Sequence, residues 1–197
     1  IYNYQWIKHY YVGDVTYVTT NYRYYLDIIK HFPNVKEYFT EEDNEYYPKR
    51  YTVHFITSRG IMDEFRTHVG LSHLAESSRY CSYDKNRFGN ELTFIIPNWV
   101  NTNCPNKEQE GPSVASIEWS TAMFDAEASY MNLIKMGCTA QQAREVLPLS
   151  IKSELISCGF EDIWNNFFYR RCAKDAHPMA REIATKVRDK FKELNYV

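Results

Sequence analysis

EFRTHVGLSHLAESSRYCSYDKNRFGNELTFIIP, residues 64–97, is the stretch on which the reading of this chain turns. Within it, Glu76-Ser77-Ser78-Arg79-Tyr80 sets a carboxylate, two hydroxyls, a guanidinium and a phenol side by side. That mixture suits a planar, anionic, hydrogen-bonding ligand such as a nucleotide. Arginine grips phosphate through two parallel hydrogen bonds, and serine hydroxyls donate or accept beside it. Arg66 and His68 add donors upstream, and Gly70 lets backbone approach closely. Gly89-Asn90 then marks a turn into Leu92–Ile96, which reads as a buried strand. Taken singly, each of these side chains is more often solvated or structural than ligand-binding. The weight lies in their chemical complementarity.

The chain has 197 residues and is 44% hydrophobic, enough for one domain with a sizeable core. Its net charge of −2 gives no global field for a nucleic acid polymer or an anionic membrane, although a small anion needs only a local basic pocket. No run of about 18 apolar residues suggests a membrane span, and no secretory leader is visible at the N-terminus. Five cysteines, Cys81, Cys104, Cys138, Cys158 and Cys172, are odd in number and widely spaced. They make no CxxC and no Cys/His metal-ligand spacing, so no metal and reduced, cytoplasmic thiols are expected. The 17 Tyr and 11 Phe offer faces for stacking on bases or flavin rings, though most such rings serve a core or an interface.

Outward from the central stretch, residues 1–19 read as strand and loop. From Asn21 to Phe32 the apolar spacing is helical, with Tyr22, Tyr25, Leu26, Ile29 and Phe32 on one face and Pro33 ending it. Residues 37–50 read as an acidic surface loop, and Tyr51–Thr57 as a strand. Gly60–Gly70 reads as a helix with Ile61, Phe65 and Val69 inward. It sets Glu64 and His68 four apart, either as a solvated pair or as two groups facing one cavity. After a polar loop from Asn101 to Gly111, Pro112-Ser113 opens a long helix to Met136. Ile117, Phe124, Ala128 and Met131 mark its buried face, with Tyr130, Leu133 and Ile134 widening it, and Gly137 stops it. Thr139 and Gln142 fit a capping box. The short helix they start carries Arg144, which seen bare is a surface arginine. Ile151–Cys158 fits strand or helix by periodicity. Glu161–Phe168 and a last segment to Leu194, with Met179, Ile183, Val187, Phe191 and Leu194 inward, read as helices.

The central stretch resembles the flavin-dependent thymidylate synthases, the ThyX family. Their pattern is Arg-His-Arg, a middle serine, then Ser-x-Arg-Tyr. Aligned without gaps, Thr67-His68-Val69 falls on the triplet, Ser72 on the middle serine, and Ser77-Ser78-Arg79-Tyr80 on the closing motif. Two further segments look alike: QAREVLPLSIKSEL, which holds Arg144, and RRCAKDAHP, which holds Arg171. The resemblance covers roughly residues 50–185. It settles Ile151–Cys158 as a strand. It implies an α+β fold, one domain over residues 1–197 with an antiparallel or mixed sheet flanked by helices, assembled as a homotetramer. It also implies reductive methylation of dUMP to dTMP, with FAD as cofactor and methylenetetrahydrofolate and NADPH as co-substrates. Carried over position by position, Arg171 is the catalytic cation against the uracil ring. Glu64, Glu76, Ser77, Ser78, Arg79 and Arg144 bind the nucleotide, and Thr67, His68, Val69 and Asn166 lie against the flavin.

The departures are specific. Thr67 and Val69 replace both triplet arginines, and Arg66 stands one residue early, about 100° away on a helix. Leu74 and Ala75 replace Asn and an acid or amide, and Glu64 replaces the common Gln. Two other readings therefore stand beside dTMP synthesis. One is flavin- and folate-dependent installation of another C5 group, such as hydroxymethyl, on a pyrimidine deoxynucleotide. The other is a non-catalytic scaffold that retains nucleotide binding.

Overall fold

A computed structural model describes residues 6–79, 81–84, 89, 91–102 and 114–196. Five features read from the sequence lie partly outside them: residues 1–5, Tyr80 of the closing motif, Asn90 of the turn, most of the 101–111 loop with Cys104, and the Pro112-Ser113 helix start.

Strands β1 (Ile7–Val12) and β2 (Val15–Thr20) form an antiparallel hairpin over Gly13-Asp14. Gly13 supplies the positive φ, +56°, that so tight a turn demands. Helix α1 (Tyr22–His31) follows, its first turn capped by the Asn21 side chain, which accepts the Tyr24 N–H at 2.8 Å. Pro33 ends α1 and opens a 3₁₀ segment, Pro33–Tyr38. Of the apolar face expected to bury, Tyr25 does so, stacked on Phe39 at 4.5 Å; Tyr22, Leu26 and Phe32 are exposed.

The main sheet has the order β3-β5-β4. Strand β3 (Arg50–Ser58) pairs antiparallel along its whole length with β5 (Lys152–Phe160), so the segment expected from Ile151 to Cys158 is strand from Lys152 on. Strand β4 (Ser72–Ala75) pairs on the other side of β5. It was not anticipated, because four residues give too short an alternation to register. Period-2 alternation sends Phe55, Thr57, Ser153, Leu155 and Ser157 to the buried face. Helices α2 (Arg59–Arg66), α6 (Glu161–Arg171) and α7 (Pro178–Glu193) pack there. Phe65, Trp164, Phe167, Phe168 and Phe191 form the aromatic centre of this core. Leu194, expected to face it, is 44% exposed, because α7 ends at Glu193 and Leu194 is its C-cap.

Helix α2 is shorter than the spacing suggested. It ends at Arg66 with Thr67 as its C-cap, so Val69 is 72% exposed rather than buried. Gly70 takes φ +98°, and a Cβ there would lie 2.9 Å from Ile163 Cδ1. Glycine thus lets the chain pass close against α6.

The remaining helices, α3 (Asn98–Thr102), α4 (Val114–Lys135) and α5 (Ala140–Ala143), lie between β4 and β5 in sequence. A second, smaller core of Tyr83, Leu92, Tyr130, Ala143 and Ile151 joins α4 and α5 to the start of β5. Gly137, at φ +91°, follows α4, and Thr139 with Gln142 forms the expected capping box on α5. The expected buried face of α4 is corrected. Ile117 and Phe124 are 53% and 70% exposed and Ala128 is also exposed, whereas Tyr130 is buried as expected, with Met131, Leu133 and Ile134 partly buried beside it. Helix α4 is apolar on more than one side; among the described residues its Tyr130 side meets the smaller core, and its N-terminal half meets α3 and Ser150 through Ser116 and Trp119. Leu92–Ile96 is corrected too. Leu92 is buried, but the segment makes a single bridge, Phe94 to Ile151, and Ile96 is exposed. No helix among the described residues is long and apolar enough to cross a membrane.

Candidate active site

The sequence-predicted residues gather in two places. The first is the C-terminal end of α2, where α6 brings in Arg171 from its last turn, a position favoured for a cation by the helix dipole. Because α2 stops at Arg66, the Glu64 carbonyl is among those without a continuing helical partner. Two side chains fill that need. Thr67 Oγ1 donates to it at 2.8 Å, and Arg171 Nη2 donates to it at 2.7 Å. Arg171 Nη1 donates to the Glu64 carboxylate, and Nη2 also reaches Thr67 Oγ1 at 3.5 Å. Arg171 Nε is buried without a partner among the described residues. The expected Glu64–His68 helical pair does not form; Glu64 pairs with Arg171 across the two helices. Arg66 pairs instead with Asp63 at 3.3 Å on the exposed side.

His68 lies beneath this cluster, buried, its ring edge-on to Phe167 at 5.3 Å. Burial and, after it, the Arg171 charge hold its pKa down to about 4, so the ring is neutral. Its Nε2 is buried without a partner among the described residues. Next to it, His73 contacts Ser157 Oγ at 2.9 Å and the His68 carbonyl at 3.3 Å. A carbonyl only accepts, so His73 Nε2 carries the proton and Nδ1 accepts from the serine. Asn166 is exposed and accepts from Arg170 at 3.2 Å.

This buried neutral ring predicts an acid limb in stability. The unfolded chain takes up the proton near pH 6.5, the folded chain only near 4. The contribution is therefore full above about pH 6.5 and is lost as pH falls toward 4, by about 3 kcal/mol. His68→Gln should flatten most of that slope in denaturant midpoints. His73, whose pKa is also lowered by burial, retains the rest.

The second place lies beyond β4. Ser77 and Ser78 are half-buried at the turn, and Arg79 Nε donates to Gln141 Oε1 of α5 at 2.8 Å. Arg144, one turn further along, begins a short 3₁₀ segment and contacts Glu145 at 3.4 Å. Arg79 and Arg144 are thus brought to one helical element, while Arg171 belongs to the other cluster. Glu76 is engaged internally: its carboxylate accepts the Glu154 N–H at 3.1 Å and the Cys81 thiol at 3.5 Å. Thr67 and Val69 are both exposed.

Sequence reading missed a groove of about 530 Å³ on the open face of the sheet, lined by His54, Leu74, Ala75, Glu76, Glu154 and Ile156 among others. In it His54 Nε2 and Glu154 Oε2 are 2.9 Å apart, and Lys152 reaches the same carboxylate at 2.6 Å. Alternation in β3 and β5 was the available signal, but which residues sit side by side depends on register. Among the described residues no group of three or more His, Cys, Asp or Glu could hold a metal ion.

The α+β fold is similar to that of a solved structure, the flavin-dependent thymidylate synthase ThyX of Helicobacter pylori in complex with FAD and dUMP. The TM-score is 0.51 at 18% identity, over 71% of this chain and 66% of that one. In sequence, the flavin-dependent thymidylate synthase of Pyrococcus furiosus is 26% identical over 161 residues, 82% of this chain and 61% of that protein. Residues 49–195 match the family model for thymidylate synthase complementing proteins, and the chain belongs to that family. Residues 1–48, with the β1–β2 hairpin and α1, precede the matched region.

Proposed function

We propose that the chain is a flavin-dependent thymidylate synthase, converting dUMP to dTMP with methylenetetrahydrofolate as methylene donor and NADPH as the source of reducing equivalents. The observation that carries this reading is the Arg79–Gln141 hydrogen bond, which joins positions 62 residues apart. It brings Arg79 to the element bearing Arg144, beside the Ser77-Ser78 hydroxyls. Two guanidinium groups and two hydroxyls suit a phosphate, each charge-assisted bond contributing roughly 1.5–3 kcal/mol. Arg171, in the other cluster, is the cation for the pyrimidine ring.

We read the site as shared between subunits of a homotetramer. The apolar stripe of Val114, Ile117 and Phe124 on α4, exposed in a single copy, supports assembly. The residues present fit a flavin through hydrogen bonds rather than ion pairs. His68 is neutral, its Nε2 without a partner among the described residues, Asn166 offers an exposed amide, and Thr67 and Val69 add uncharged surface. Bound FAD would supply the hydride. The uncharged Thr67–Val69 segment is also the observation that favours the second reading, C5 hydroxymethylation, because it alters the surroundings of the same cofactor.

Tritium release from C5-labelled dUMP, with folate, NADPH and FAD, tests the proposal. Release with dTMP as product is expected. Release with a product heavier by one oxygen selects hydroxymethylation. A melting temperature raised by dUMP without any release rejects the enzyme and leaves a nucleotide-binding scaffold.

A further inference from the structure

The turn that carries Ser77, Ser78 and Arg79 is held at its base by one side chain. Glu76 extends the β4–β5 ladder: its N–H donates to the Glu154 carbonyl at 2.8 Å, and its carboxylate accepts the Glu154 N–H at 3.1 Å. The other carboxylate oxygen accepts the Cys81 thiol at 3.5 Å, which closes the turn on itself. Ser77 and Ser78 are half-buried within it, but Arg79 is exposed. A fixed backbone does not by itself fix an exposed arginine, whose long side chain has many rotamers in water.

The heading of Arg79 is set from α5. Gln141 Oε1 accepts from Arg79 Nε at 2.8 Å, across 62 residues of sequence. Gln141 is well placed to act as a post. The Thr139–Gln142 capping box sets the start of α5, and Ala143, fully buried in the smaller core, pins its end. Arg144 follows directly, so the Gln141 contact also relates two guanidinium groups to each other.

We propose that Gln141 is a positioning residue for nucleotide binding: its side-chain carbonyl fixes the plane of the Arg79 guanidinium, so that a nucleotide phosphate meets Arg79 and Arg144 already in place. The proposal rests on the reading of Arg79 and Arg144 as the pair that binds the phosphate. The guanidinium is planar and its donors form a rigid fork, so fixing one N–H fixes the heading of the rest. The rotamer freedom of Arg79 is then lost on folding rather than on binding. For one long side chain that raises affinity about three- to tenfold. The gain belongs to the phosphate alone. A nucleoside with the same base and sugar has no group that draws on it.

The test is calorimetric titration of the full chain with dUMP and with deoxyuridine, which lacks the phosphate. Gln141→Leu should weaken dUMP binding about three- to tenfold and leave deoxyuridine unchanged. Gln141→Glu, which retains an acceptor oxygen in the same place, should hold dUMP affinity within about twofold of wild type. On an Arg79→Ala background, Gln141→Leu should cost nothing further, because its effect runs through that guanidinium. Gln141 is exposed, and Gln141→Ala offers the same comparisons should the leucine variant fold poorly. A loss shared equally by deoxyuridine, or one that adds in full to Arg79→Ala, assigns Gln141 a structural role and overturns the inference. Wild-type dUMP affinity in Gln141→Leu overturns it as well, with the nucleotide reading intact. A wild-type chain that binds dUMP no better than deoxyuridine removes the phosphate site itself, and the inference with it.

Discussion

Arg171→Ala is expected to lower tritium release from C5-labelled dUMP by about 10²–10³-fold, the range found when one preorganised donor to a reacting centre is removed. Two effects combine. The ring loses the guanidinium that orients it, and the Glu64 carboxylate loses its partner in a half-buried setting. An unpaired carboxylate left beside an electron-rich ring opposes binding as well as chemistry. The second effect makes the double variant informative: adding Glu64→Gln to Arg171→Ala should restore part of the loss, because the stranded charge goes too. Arg171→Lys should recover little. Lysine is a point charge, and it cannot engage the Glu64 carboxylate, the Glu64 carbonyl and Thr67 in the forked geometry seen for Arg171. Melting temperatures of the variants separate a lost group from a lost fold. A stably folded Arg171→Ala chain that releases tritium at the wild-type rate takes Arg171 out of the site.

How far this site could be read in advance follows from the range of each interaction. Local signals carried over well. Asn21 before α1, Pro33 after it, the Thr139 capping box and Gly137 all act within a turn of the backbone, and all stand where the residue types placed them. The alternation of β3 was equally plain. What failed was whatever depended on a partner distant in sequence. Helix α4 carries apolar residues on more than one side, so its composition did not say which side a single copy covers. Phe124 was taken as inward and stands open. The Gly60–Gly70 pattern ran on past the helix because Thr67 stops it in favour of a capped end, and that moved Val69 out of the core. The Glu64–Arg171 contact spans 107 residues and shows no local pattern at all. Nor did the Glu76 carboxylate announce that it would bind the backbone of β5. Residue chemistry in the central stretch pointed to a kind of ligand. Which groups remain available for that ligand was decided by the fold.

Trp164→Ala is expected to cost about 3–5 kcal/mol of stability, as for large aromatic-to-alanine changes in a packed core. Trp164 is fully buried on α6, with the rings of Phe191, Phe167 and Phe168 at 5.2, 5.4 and 5.9 Å. Its Nε1 donates to the Tyr51 carbonyl at 3.0 Å, tying α6 to β3. Truncation removes the ring, leaves a cavity that these three neighbouring aromatics cannot all close, and strands that carbonyl. A domain of this kind holds about 5–15 kcal/mol in all, so the loss is a large fraction of it. Trp164→Phe retains most of the volume but not the donor, and should cost about 1–2 kcal/mol, chiefly the hydrogen bond and a smaller void. Denaturant titrations at one fixed protein concentration, without nucleotide, give both values free of ligand and assembly effects. The consequence reaches the site, since Arg171 is about two turns further along the same helix. Trp164→Phe should therefore leave dUMP affinity close to wild type, while Trp164→Ala should weaken it even below its melting temperature. Equal stability for Trp164→Ala and wild type would show that α6 is held by something other than this aromatic core.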